Sequence, residues 1–282
     1  MSEARTLHPR RVALLFAALS LPISALAAQG PQAAPGAASG TARAAAPYDM
    51  TGYWVSEVTE KWRFRMVVPD KGDYTQVPLN PEGRKVANAW DPARDQARGE
   101  ACKSYGAAAL LQVPGRLHIS WQDDSTLRLD TDSGTQTRLF HFGASRPPNA
   151  APSWQGHSVA MWGGAEPRDR RDGQGGPVQD AAGRLLIAGA QRKDPDYLEV
   201  VTTRMRQGYL QKNGVPYSGD ARLEEYFDVF SDPYTHNTWL VMTAVVTDPH
   251  YLIEPLIMHA HFKKLPDASG WDPTPCRADE PR

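Results

Sequence analysis

Arg204, Arg206, Glu224, Tyr226, His259, His261, Trp62 and Trp121 are the residues whose types and spacing could do chemistry. Along an extended run over 197–206, alternation places Thr202, Arg204 and Arg206 on one side. Along 221–230 it places Arg222, Glu224, Tyr226 and Asp228 on one side. If the two runs pair as a hairpin, these faces meet. Inside a barrel such a set could orient a carboxylate or phenol through bidentate Arg hydrogen bonds, whereas on the outer wall the same residues would form cross-strand ion pairs. His259-Ala-His261 puts two imidazoles on one strand face, which could start a copper or zinc site given a third ligand. No third ligand stands at a telling spacing, and no metal is assigned. Trp62 and Trp121, together with Trp54, Trp162 and Trp239, supply aromatic surface expected on inward faces, which suits an apolar guest.

Several reaction classes find no foothold. There is no Gly-x-Ser-x-Gly elbow around Ser158. The carboxylates of Asp123-Asp124 and Glu224-Glu225 are adjacent, so on a strand they point to opposite faces and cannot share a proton. No Gly-rich phosphate loop is present, and no cofactor is expected. Lys and Arg number 31 against 32 Asp and Glu, so no basic field exists to hold nucleic acid.

The elements that must position these residues read mainly as β. Residues 54–66 alternate, with Trp54, Val58, Trp62, Phe64 and Met66 on one face, which predicts a half-buried strand. Residues 79–90 predict a short helix opened by Asn80-Pro81, and Asp91-Pro92 opens a second. Next come runs at 116–122, 126–130 and 135–142 separated by Asp123-Asp124-Ser125 and Asp132-Ser133-Gly134, a meander of hairpins. A run at 154–162 and three long ones at 197–206, 221–230 and 238–262 follow, the last broken at Pro249. The expected architecture is an antiparallel up-and-down barrel with a short helical segment near one mouth.

Processing and linking segments frame this domain. Arg10-Arg11, the apolar 12–21 and Ala25-Leu26-Ala27 make a secretory signal peptide of residues 1–27, cleaved near Ala27 and read by general or twin-arginine export. The expected location is periplasmic or secreted, with no stable membrane span in the mature protein. Residues 28–47 predict a flexible linker, 48–276 a single barrel domain, 163–183 a mobile insertion and 277–282 a disordered tail. Cys102 and Cys276 are the two cysteines, and in an oxidising compartment they are expected to pair.

Gly52-x-Trp54 at the start of the first strand resembles the opening motif of lipocalins, whose Trp closes one end of the barrel. More of the chain is similar to a group of secreted bacterial proteins of lipocalin-like β fold with no assigned activity. The matching pieces are Val200-Val-Thr-Thr203, residues 209–218, Glu225-Tyr-Phe227, residues 248–252 with Glu254-Pro255, His261-Phe262 and Pro275-Cys276. Cys102-x-x-x-Gly106 before Pro114 recurs in that group too. The resemblance implies a lipocalin-like barrel in an exported protein and carries over no catalytic residue. The leading expectation is binding of a small apolar or amphipathic molecule in the barrel. The alternatives are a lyase, isomerase or dehydratase working by acid–base chemistry, with Arg204, Glu224, Tyr226 or His261 taking part, and an envelope interaction protein using the outside of the sheet.

Overall fold

Nine runs of alternating residues become nine barrel strands: β1 Gly52–Glu57, β2 Arg116–Asp123, β3 Thr126–Thr131, β4 Gln136–Phe142, β5 His157–Gly163, β6 Tyr197–Thr203, β7 Arg222–Ser231, β8 Thr238–Thr247 and β9 Leu256–Leu265. The computed structural model describes residues 40–143, 151–163, 178–179, 185–186 and 197–279. The expected signal segment 1–27, most of the expected linker 28–47, most of the expected 163–183 insertion and the last residues of the expected tail lie outside the described residues. Two short ribbons, Gly208–Tyr209 with Pro216–Tyr217 and Val178–Gln179 with Leu185–Leu186, stand apart from the barrel sheet.

Each barrel strand pairs with its neighbours in sequence, and β9 closes on β1. Eight seams are antiparallel. The ninth, between β4 and β5, is parallel, which corrects the expectation of a wholly antiparallel barrel. The reason is parity: an odd number of strands cannot reverse direction at every seam of a closed ring. A parallel seam also needs a long return connection, here residues 143–156, where antiparallel neighbours manage with a tight turn.

The inward faces carry the core. Trp54, Leu117, Ile119, Leu127, Leu129, Phe140, Leu198, Phe227, Leu240 and Phe262 are all buried within the closed ring. Gly52, at φ 105°, opens β1 in a conformation that side chains rarely adopt. Two residues on, the Trp54 indole donates to the Met50 carbonyl at 2.9 Å. The barrel has two different ends. At the lower end the β1–β2, β3–β4, β6–β7 and β8–β9 connections gather, including helices α1 Trp62–Met66, α2 Pro81–Asn88, α3 Pro92–Ala97 and α4 Ala107–Leu110. Asn80 and Asp91 cap α2 and α3 by accepting from the Gly83 and Arg94 amides, as their positions before Pro predict. Cys102 and Cys276 are bonded, tying the tail to this end.

Among the strand boundaries that differ from the sequence reading, two move candidate residues. The run over 54–66 stops at Glu57, and Lys61, at φ 50°, turns the chain into α1. Trp62 and Met66, four residues apart, fit one face of a helix as well as alternate positions of a strand, and here that face looks into solvent. The run over 197–206 stops at Thr203 because Arg204, at φ 57°, breaks the alternation.

Candidate functional site

The phase of alternation decides which polar groups enter the lumen. On β7 the inward residues are Leu223, Glu225 and Phe227, so Glu225 faces in while Glu224 and Tyr226 face out. On β4 the inward set is Arg138, Phe140 and Phe142. Arg138 and Glu225 therefore meet inside, each 1 % exposed. The Arg138 guanidinium donates through Nη1 and Nη2 to the two Glu225 oxygens, at 2.8 and 2.5 Å, and through Nη2 to Thr202 Oγ1 at 3.1 Å. The Ser158 and Thr202 hydroxyls lie 2.7 Å apart. The fork-to-fork geometry offsets the desolvation of both charges, and the pair holds β4, β6 and β7 in register from within.

Apolar side chains fill the lumen around this pair. Two crevices near the lower end, one of them bounded by α4, Leu223, Glu225, Met242 and Met258, hold at most about 20 Å³, far below the roughly 300 Å³ at which ligand pockets begin.

The upper end is different. Trp121 from β2, Phe142 from β4 and Trp162 from β5 continue the inward faces to the rim, where they are only partly buried. Their rings form a ladder: Trp121 to Phe142 at 5.6 Å, Phe142 to Trp162 at 5.2 Å, and Trp162 edge-on to Tyr48 at 5.9 Å. Residues 40–48 cross this rim. The Trp162 indole donates to the Ala42 carbonyl at 2.8 Å, and the Tyr48 hydroxyl donates to the Phe227 carbonyl at 2.7 Å. The last part of the expected linker is thus held against the barrel mouth.

The residues singled out from the sequence scatter. Of the expected aromatic lining, Trp54 lies in the core and Trp121 and Trp162 line the mouth. Trp62 stands on α1, 64 % exposed, and Trp239 points outward beside buried Leu240. Arg204 is exposed beyond β6. Arg206 stacks on Trp154 at 4.0 Å and approaches Glu100 at the lower end. Glu224, ion-paired with Arg222, and Tyr226, opposite Glu199 on β6, form an outer-wall group. Burial first, then Glu199 and Glu224, pushes the Tyr226 phenol up to about 12, so it stays protonated near neutrality. His259 and His261 share one outer face, as their spacing predicts. His259 bonds Thr243, and His261 bonds Thr59 and lies 3.2 Å from Glu60. Among the described residues no group of three His, Cys, Asp or Glu could hold a metal ion. The polar set expected to converge inside the barrel is therefore divided between outer wall and lower end.

Sequence reasoning passed over Arg138, Glu225, Tyr48 and Phe142. The signal was present for three of them: a charge in phase with Leu223 and Phe227, another in phase with Phe140, and an aromatic at the end of that same inward row. Only Tyr48, reaching the site from before the first strand, had none.

Comparison with protein-family models, with curated proteins and with solved structures finds no match for this chain. Among the described residues no helix is long and apolar enough to cross a membrane.

Proposed function

We propose that the protein is an exported, lipocalin-like binding protein that takes a small apolar or amphipathic molecule at the upper mouth of its barrel. The observation that carries this reading is the Tyr48–Trp162–Phe142–Trp121 ladder, a partly exposed aromatic surface where the inward faces reach the rim. A filled lumen favours a guest on this platform over one deep inside, and the rings favour a flat or unsaturated moiety that can stack. The carbonyls of Ala42 and Phe227 at the rim already accept from the site's own indole and phenol, and such rim carbonyls suit the polar end of an amphipathic guest. The lipocalin-like reading rests on Gly52-x-Trp54 and on strands that neighbour one another in sequence order; nine strands and a parallel seam are its departures. Export rests on the residues of the N-terminal segment, and the disulfide fits an oxidising compartment. A mature mass beginning near Ala28 would support export, and an uncleaved chain in the cytoplasm would exclude it.

The test is titration with N-phenyl-1-naphthylamine, a neutral apolar fluorophore. Trp121→Ala and Trp162→Ala are expected to weaken binding about tenfold each, equivalent to about 1.4 kcal/mol, while Glu224→Gln and Tyr226→Phe leave it unchanged. No binding by the wild type, or equal losses in all four variants, would exclude the mouth as the site.

A second reading, an interaction protein working through the barrel exterior, is favoured by β8. Its outward residues include the apolar Trp239, Val241 and Val245, broken only by Thr243, a pattern close to that of a strand covered on both faces.

A further inference from the structure

The parallel β4–β5 seam is the weak joint of the barrel. It has three registered pairs, Phe140 with Ser158, His141 with Val159 and Phe142 with Ala160, against ten between β7 and β8. On its outer side His141 and His157 stack, ring centroids 5.3 Å apart and planes 17° from parallel. His157 Nε2 is buried without a hydrogen-bond partner. On its inner side lie Arg138 and Ser158, and at its upper end Phe142 and Trp162 face each other across it. We propose that the His141–His157 stack makes this seam an acid-sensitive latch, which loosens the aromatic mouth when the imidazoles take up protons.

The electrostatics run in that direction. Burial first, then His157, lowers the readiness of His141 to protonate, and Asp123 at the β2–β3 turn partly opposes this. Other charges around the pair are Arg128 on β3, held by Asp130, and Arg204 just beyond Thr203, the partner of His157. Across the wall Arg138 and Glu225 neutralise each other. A base whose folded-state pKa is depressed binds fewer protons folded than unfolded. Its stabilising contribution is therefore complete above the unfolded value of about 6.5 and is lost as pH falls below it. Protonating both rings also sets two like charges face to face and leaves a buried N–H on His157 to be satisfied.

Hydrogen–deuterium exchange on the full mature chain, expressed as protection factors to remove the intrinsic pH effect, tests the latch. Between pH 8 and pH 5, protection at 140–142 and 158–160 should fall about tenfold more than at the β8–β9 seam, equivalent to about 1.4 kcal/mol. The His141→Gln/His157→Gln double variant should lose the difference. Equal behaviour of the two seams in the wild type, or an unchanged difference in the double variant, would overturn the latch. Should that variant fail to fold, imidazole titration of the wild type by NMR serves instead. Seam amide shifts that follow the two rings support the latch, and shifts that follow neither overturn it. The link to the mouth rests on the proposed binding site. Affinity for N-phenyl-1-naphthylamine that falls with seam protection supports the link, and affinity independent of pH while the seam loosens overturns it. A probe that never binds removes the mouth reading and leaves the exchange result to judge the latch.

Discussion

The two ends of the barrel use similar residues in opposite ways. At the lower end polar and aromatic groups are locked together. Tyr209 donates to Asp95 at 2.5 Å, Lys103 bridges Asp95 and Glu100, and the 102–276 disulfide ties the tail across. Burial and the Asp95 bond raise the Tyr209 pKa, so that phenol is a structural donor. At the upper end Tyr48, Trp121, Phe142 and Trp162 pack against the core and against one another beneath a strap of backbone, and stay partly open. Aromatic residues thus mark a seal where their polar atoms are matched by buried partners, and the proposed binding surface where they stay only partly buried. The lower end has exceptions in the Trp90 indole N–H and the Tyr217 hydroxyl, both buried with no partner. The Tyr217 hydroxyl is wedged between Gly106 and Gly208, where a Cβ would stand 2.0 and 2.6 Å from its oxygen.

This contrast can be broken from the sealed side. Replacing Cys102 and Cys276 by Ser releases a closure spanning 174 residues, and urea unfolding should show a loss of about 4 kcal/mol or more with probe binding at the upper mouth retained. In the middle of the barrel, Glu225→Ala leaves Arg138 as an uncompensated buried charge. A destabilisation of about 3–5 kcal/mol is expected, whereas the paired change Arg138→Met/Glu225→Leu should be close to neutral, since both desolvation and attraction are removed together. If the single and paired variants were equally unstable, the pair would not be the unit holding β4 to β7. The smallest effect is expected for Tyr217→Phe. Removing an unpartnered buried hydroxyl should leave stability unchanged or raise it by up to about 1 kcal/mol, measurable as a shift in melting temperature, and a clear loss would reveal a hydrogen bond to that oxygen.

Much of the barrel was legible in the chain. The hairpin turns at Asp123-Asp124-Ser125 and Asp132-Ser133-Gly134, the Asn80 and Asp91 caps and the cysteine pair are local or countable features, and each is present in the structure. The site was less legible. Thr202 and Arg204 share a side only while the strand continues, and one left-handed residue separated them. Glu224 and Tyr226 drew attention by their chemistry, yet the neighbouring Glu225, in phase with Leu223 and Phe227, is the residue that enters the lumen. Trp62 fitted a strand and a helix equally well, and only packing against the rest of the chain chose between them.

Sequence by itself determined the alternating faces, the turns, the caps and the two cysteines, because each depends on residues close together in the chain or on simple counting. Only the tertiary structure decided that nine strands close with one parallel seam, that Arg138 finds Glu225 across 87 positions, and that Tyr48 reaches Trp162 over the rim. Those outcomes depend on strand number and on closure of the ring. Both are properties of the whole assembly of strands, and no local pattern of residues encodes them.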